Sequence, residues 1–242
     1  MSYDRVLLKL SGEALGDPES GQGIDQEAVA RISRQVVKVA RLGVELALVV
    51  GGGNILRGAT FGGAGKDGAQ RAHRANADYM GMLGTVINAL ALSDAIEQQG
   101  VDTRVMTALD ISAVAEPFVR RRAVAHLGRG RVVLLAAGTG NPFFTTDTAA
   151  ALRARELGCE VLLKATKVDG VYTSDPKTDP AAERIPKLTH MEVLEQKLSV
   201  MDAAAISLCM ESNLTVVVFD LFQEGNIERV IRGETLGTTI RS

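Results

Sequence analysis

No tryptophan, three tyrosines and six phenylalanines are the whole aromatic complement of this 242-residue chain. At 4% aromatic residues it lacks the stacking platforms on which proteins hold single-stranded nucleic acid. Its two cysteines, Cys159 and Cys209, form no CxxC and sit in apolar or helical settings, so they read as small buried residues in a reducing compartment. Three scattered histidines, at 73, 126 and 190, offer no zinc-ligand spacing. The longest apolar runs, such as LALVV and VVLLAA, are strand-length, far short of the ~20 residues of a membrane span. The N-terminal MSYDRVLLKLSG carries Asp4, Arg5 and Lys9 and is no secretory signal. A net charge of −2 gives no general attraction to nucleic acid or anionic membrane. These absences together predict a cytoplasmic protein without a nucleic-acid or membrane partner. The arginines at 120, 121, 122, 129 and 131 then read as a solvated helix face.

What is present is 46% hydrophobic residue, enough for a sizeable core. Continuous Val/Leu/Ile runs predict strands buried on both faces at 5–10, 44–50, 102–107, 131–137, 160–165 and 214–219. Helical patterns fall at 25–42, 74–99, 118–128, 146–157, 189–197, 201–212 and 226–232. Their alternation predicts βαβ crossovers and a mostly parallel sheet. No linker divides the chain, so one domain over 1–242 is expected. In such sheets ligands bind beyond the carboxyl ends of the strands. The unusual segments lie there: KLSGE, GGGNILRG, GTGNPFFTTD and ATKVDGVYTSDP each follow a strand. Two long loops, 59–70 and 166–186, are of a length that is usually functional or mobile.

No Walker A sequence occurs, and the GAGKDG at 63–68 has neither the preceding strand nor the following helix of a dinucleotide fingerprint. Phosphate must therefore be met in another way. Lys9, at the mouth of a central strand and followed by Ser11-Gly12, is costly to bury without an anionic partner. Gly51-Gly52-Gly53-Asn54 allows close backbone approach and opens a helical turn whose N–H groups would face an anion. Arg57, on that turn, offers a planar fork for phosphate oxygens. Asp78 reads as a helix-start cap or as an acceptor for ligand hydroxyls. In GTGNPFFTTD, glycines and threonines offer backbone and hydroxyl contacts, Thr146 or Asp147 can cap the next helix, and Asp147 can hold lysines or Mg²⁺ in place. The last segment contributes Lys164, Thr166, Asp169, Tyr172 and Asp175; the tyrosine suits an adenine slot and Asp175 a ribose hydroxyl. The helix 74–99 is apolar or small on most faces, so a second subunit is expected to cover whatever its own sheet leaves bare.

With these segments in order, the chain resembles the amino-acid-kinase fold family, and within it the bacterial uridylate kinases. The similarity runs from LLKLSGEAL through VVGGGNILRG, DYMGMLGTVINALAL, AAGTGNPFFTTDTAAALRA and LKATKVDGVYTSDP to VMDAAA and RGETLGT. It implies a three-layer αβα sandwich with an eight-stranded, mostly parallel sheet, and Mg²⁺-dependent transfer of the ATP γ-phosphoryl group to UMP. The acceptor half would occupy roughly 1–150 and the ATP half 151–242. By the same resemblance Lys9, Leu10, Ser11 and Gly12 meet the ATP phosphates, and Gly53 and Arg57 contact the transferring group. UMP is met by Gly52, Asp78 and the loop Thr139, Gly140, Asn141, Pro142, Phe143, Phe144, Thr145 and Thr146. Asp147 organises the catalytic lysines, Lys164 is a second phosphate-binding lysine, and Thr166, Tyr172 and Asp175 form the ATP nucleoside site. Asp202 matches a family acid of unassigned role. The resemblance also implies a homohexamer, GTP as activator through the segment 16–23, and UTP as inhibitor. No protein residue is assigned to Mg²⁺, which ATP would carry. The rival readings are a kinase of carboxylate or carbamate acceptors and a non-catalytic nucleotide- or oxyanion-storage assembly.

Overall fold

The computed structural model describes residues 3–56, 73–176 and 178–242. The predicted strands become β1 (Arg5–Leu10), β2 (Glu45–Val50), β3 (Thr103–Thr107), β5 (Val132–Ala136), β6 (Val161–Thr166) and β10 (Thr215–Asp220). The predicted helices become α1 (Gln26–Ala40), α2 (Arg74–Glu97), α3 (Arg120–Leu127), α4 (Thr146–Leu157), α5 (His190–Glu195), α6 (Ala203–Glu211) and α7 (Asn226–Ile231). Five further strands of two or three residues complete the set: β4 (Glu116–Pro117), β7 (Val171–Tyr172), β8 (Arg184–Ile185), β9 (Lys187–Leu188) and β11 (Thr238–Ile240).

Among the described residues the main sheet has nine strands rather than the expected eight, in the order β4-β3-β5-β2-β1-β6-β10-β11-β9. Three of the nine, β4, β9 and β11, are short pieces at the two edges. Every pairing is parallel except β10 with β11. A separate antiparallel pair joins β7 to β8.

Side-chain alternation builds the three layers. Val6, Leu8 and Leu10 of β1 pack with α1, α2 and α7 on one face of the sheet. Leu7 points the other way, into a second core with α3, α4, α5 and α6. Strand β6 repeats the pattern, Leu163 facing the first core and Leu162 the second. By the same alternation Lys9 and Lys164 both face the α4 side. They are also register partners, Lys9 opposite Lys164. From β1 the chain passes to β2 on one side, and from β6 it leads to β10 on the other. The ends of β1 and β6 therefore flank a topological switch point, the usual ligand crevice of open α/β sheets.

Helix α2 is, among the described residues, long and apolar enough by composition to cross a membrane. Its inner face instead covers β2, β3 and β5 and packs on α1. What its own sheet leaves bare is an apolar stripe of Tyr79, Met80, Leu83, Ile87 and Leu90, exposed in the single chain. Both cysteines are buried, and burial pushes each thiol up to about 12.

Candidate active site

Lys9 and Lys164 would repel each other as adjacent, same-facing ammonium groups. The structure places one carboxylate between them. Asp147 lies in the first turn of α4, with Oδ1 2.9 Å from Lys9 Nζ and Oδ2 accepting from Lys164 Nζ at 2.6 Å. All three side chains are at most 15% exposed, so this pairing matters far more than a surface ion pair would. Lys164 also donates to the Val200 carbonyl. Burial acts to raise the Asp147 pKa, but the two ammonium groups outweigh it and hold the carboxyl below its usual range. Lys164 moves the other way for a lysine. Burial and the neighbouring Lys9 outweigh its attraction to Asp147, so its pKa is lowered. The two shifts are consistent, because Asp147 sees two cations whereas Lys164 sees one anion and one cation.

The N-cap of α4 is Thr145, not Thr146 or Asp147 as the sequence suggests. Its hydroxyl accepts from the Asp147 and Thr148 amides. Asp202 receives the Thr145 and Thr148 hydroxyls and caps α6 through the Ala205 amide at 3.2 Å. A single carboxylate thus pins the start of α4, and Asp147 with it, to the start of α6.

The GTGNPFFTTD turn leaves β5 through a run of left-handed residues: Ala137, Gly138, Gly140 and Phe143 have φ of 61°, 58°, 79° and 72°. Only glycine adopts this freely, so Ala137 and Phe143 must be held there. The Ala137 amide donates to the buried Thr85 hydroxyl of α2 at 2.7 Å. The Phe143 amide donates to Asp78 Oδ2 at 2.8 Å. Thr139 and Asn141 bind each other, the Asn141 amide donating to Thr139 Oγ1 at 3.2 Å. Arg153, stacked 4.0 Å from the Phe118 ring, reaches the Gly138 carbonyl from below. Phe143 and Phe144 are 65% and 52% exposed, so neither anchors the turn in the core.

Asp78 does not cap its helix. His73 does, and Asp78 stands one turn further on. Its carboxylate binds Arg74 Nε at 2.9 Å as well as the Phe143 amide.

The three glycines after β2 have different reasons. A Cβ on Gly52 would lie 2.5 Å from the Gly81 carbonyl oxygen, so this residue is small because α2 packs on it. A Cβ on Gly51 would lie 3.1 Å from the Gly12 amide nitrogen, whereas a Cβ on Gly53 would meet nothing within 4 Å. Of the three, Gly53 is the one open to a ligand. Ser11 and Gly12 start a short 3-10 turn after β1. Leu10 is fully buried, so only its backbone is at the site, and its carbonyl accepts from the Gly51 amide at 3.0 Å.

On the other side of the switch point, Thr166 folds back on Val168 and donates to its carbonyl at 2.6 Å. Tyr172 donates to Asp169 at 2.6 Å, and that bond raises the phenol's pKa. Asp169 also pairs with Arg184 at 2.9 Å. The Asp175 carbonyl closes the following turn with the Thr178 and Asp179 amides. Lys167 reaches back to Glu13 at 3.0 Å, tying this loop to the first turn after β1. Arg57 and the GAGKDG segment lie outside the described residues.

Sequence reading missed Thr85, Asn88, Arg153 and the Glu13–Lys167 pair, and saw Asn54 only as the end of the glycine turn. Each is a partner across a long sequence gap, and no local pattern marks it.

A crevice at the switch point of a parallel sheet, with two lysines bridged by an aspartate and glycine turns on either side, is the geometry of a phosphate-handling site. The family to which the chain belongs is the amino acid kinase family, whose sequence model matches residues 4–220. Among solved structures, the chain is similar to the UMP kinase of Bacillus anthracis at 40% identity and a TM-score of 0.92, over 100% of this chain and 97% of that one. The UMP kinase of Ureaplasma parvum is 32% identical with a TM-score of 0.88, both chains covered completely. The uridylate kinase of Archaeoglobus fulgidus is 29% identical with a TM-score of 0.70, over 97% of this chain and 99% of that one.

Proposed function

We propose that the protein transfers the γ-phosphoryl group of ATP to UMP, giving UDP and ADP in pyrimidine nucleotide synthesis in the cytoplasm. The observation that carries the reading is the Lys9–Asp147–Lys164 arrangement at the ends of β1 and β6, in a chain alike over its full length to UMP kinases. Phosphoryl transfer needs little covalent chemistry from the protein; it needs positioning and charge neutralisation. Lys9, Lys164 and Arg57 would neutralise the equatorial oxygens, and the already ionised UMP phosphate would be the nucleophile. Asp147 is engaged by both lysines, one near each oxygen, so its first role is to hold the two ammonium groups. Mg²⁺ would come with the ATP phosphates and would supply charge neutralisation there. The protein side is one domain. Its acceptor half presents Asp78 and the 139–146 loop to UMP, Gly53 is left open toward the transferring group, and its ATP half presents Thr166, Tyr172 and Asp175 to the nucleoside. Ser11, Gly12 and the Leu10 backbone would line the ATP phosphates.

The test is ADP release from Mg·ATP with UMP, CMP, dTMP, acetylglutamate or carbamate as acceptor. Selective turnover of UMP is expected. Turnover of a carboxylate or carbamate, or ATP binding without turnover, would overturn the reading in favour of the two rivals.

The pKa of Lys164 gives a second check. Its proton is needed for charge neutralisation and is lost at a pH below the 10.5 of an ordinary lysine. The profile of kcat/KM, which reports the free enzyme, should therefore fall on its alkaline side before that value. In Lys164→Arg that limb should move out of reach, because a guanidinium keeps its proton. An unmoved limb would assign it to another group.

The exposed stripe on α2 supports self-association; a hexamer, GTP as activator and UTP as inhibitor follow from the family resemblance alone. Ile87→Asp, in the middle of the stripe, should shift the sedimentation coefficient to that of a smaller species while the far-UV spectrum is kept. An unchanged coefficient would place the contact elsewhere.

A further inference from the structure

Two backbone turns meet where the β1 and β2 strands end. The Gly51 amide donates to the Leu10 carbonyl, and a Cβ on Gly12 would fall 2.4 Å from the Gly51 oxygen and 2.5 Å from Asn54 Oδ1. The turns are therefore in direct contact, with no side chain between them. Directly beneath lie two amides, Asn54 and Asn88, 1% and 0% exposed. They form a reciprocal pair, Asn54 Nδ2 to Asn88 Oδ1 at 2.9 Å and Asn88 Nδ2 to Asn54 Oδ1 at 2.6 Å. The remaining N–H of each amide goes to backbone: Asn88 to the Gly51 carbonyl at 2.7 Å, and Asn54 to the Gly23 carbonyl at 2.6 Å. All four donors are used, and the two carbonyls fix which way each amide faces.

A buried polar network of this kind is costly unless complete, and when complete it specifies one arrangement. An apolar side chain at either position would fill the space but would leave a carbonyl and the partner amide unsatisfied. The pair sits at the contact between the turn placed against the ATP phosphates and the turn placed against the acceptor phosphate. We infer that Asn54 and Asn88 are positioning residues that set the distance and angle between donor and acceptor phosphates, with Asn88 fixing the Gly51 carbonyl and Asn54 meeting Gly12. This rests on the kinase reading above. Neither side chain reaches substrate, since both are sealed from solvent.

The test uses the full-length protein with Asn88→Leu, Asn88→Ser, Asn54→Ser and the double serine variant. Serine keeps a polar group and leaves room for water, so it is the folding-tolerant arm should leucine fail to fold. A misplacement of about 1 Å costs roughly 10²-fold in rate. In folded variants kcat should accordingly drop about 10–100-fold, with KM for UMP and for Mg·ATP each within about threefold of the parent. The double serine variant should be no worse than the poorer single one, because either change breaks the same reciprocal pair. A lowered melting temperature with unchanged kcat would make the pair merely structural and overturn the inference. Amide exchange supplies a readout independent of turnover. The Gly51, Ile55 and Leu56 amides, all bonded within these turns, should exchange at least about tenfold faster in Asn88→Ser, while β5 is unchanged. Unaltered protection there would also overturn it. Failure of the parent enzyme to use UMP would instead strike the kinase reading and leave the exchange result to decide the positioning role.

Discussion

Asp147→Asn is expected to lower kcat by about 10²–10³-fold at saturating UMP and Mg·ATP. The alternation of β1 and β6 and their register force Lys9 and Lys164 onto the same spot of the same face. Nothing in the backbone can separate them. Asp147 offsets their repulsion and aims both ammonium groups, one per oxygen. Asparagine keeps the volume and one acceptor but removes the charge. One lysine must then turn away or lose its proton, and the more deeply disfavoured cation is Lys164, whose pKa is already lowered. Lys9→Ala should cost kcat a similar factor, and Lys9→Ala/Asp147→Asn little more than either alone, because the groups act as a unit. Steady-state kinetics beside circular dichroism at the same temperature checks this. A folded Asp147→Asn enzyme within threefold of the parent kcat would remove Asp147 from the machinery.

Asp78→Ala is expected to separate the two substrates. The carboxylate holds the acceptor loop through the Phe143 amide, and it is the proposed acceptor for the ribose hydroxyls of UMP. Hydrogen bonds to a charged group contribute about 1.5–3 kcal/mol, so KM for UMP should rise roughly 10–100-fold. KM for ATP should stay within about twofold, since the proposed nucleoside site lies at and beyond the end of β6. Equal losses for both substrates would show Asp78 to be a structural residue of α2. Loss of the carboxylate also frees Phe143 from its left-handed backbone, where a residue other than glycine costs on the order of 1–3 kcal/mol. Phe143→Gly in the Asp78→Ala background separates that contribution from ribose binding.

Much of this architecture was legible in the sequence because its strands are buried on both faces. Runs such as VVLLA carry no competing helical reading once bounded by turns, and the six long strands fall within a residue of their expected ends. The pieces β4, β7, β8, β9 and β11 are too short to show any period, which is why the pattern gives only the six long strands. The residue types of the site were visible for a like reason. Lysines at strand ends and glycine runs after strands are costly unless used. Their relations were not visible. The adjacency of Lys9 and Lys164 follows from strand order, which no local pattern encodes. The Gly51-Gly52-Gly53 run was readable as close approach, but not that Gly52 approaches α2 while Gly53 is left for a ligand. Asp202 has no assigned role in the sequence, and only the packing of α4 on α6 makes it a clamp.

Helix α2 touches every acceptor-side turn. Asp78 holds Phe143, Thr85 holds Ala137 and Asn88 holds Gly51, while the outward side of the same cylinder carries the bare apolar stripe. In an assembly built on that stripe, the affinity of one copy for another and the affinity for the acceptor nucleotide are no longer independent quantities. Each ligation works on the same rigid body, so whatever factor self-association contributes to nucleotide binding, nucleotide binding returns to self-association. Protein concentration then acts on this enzyme as an effector in its own right.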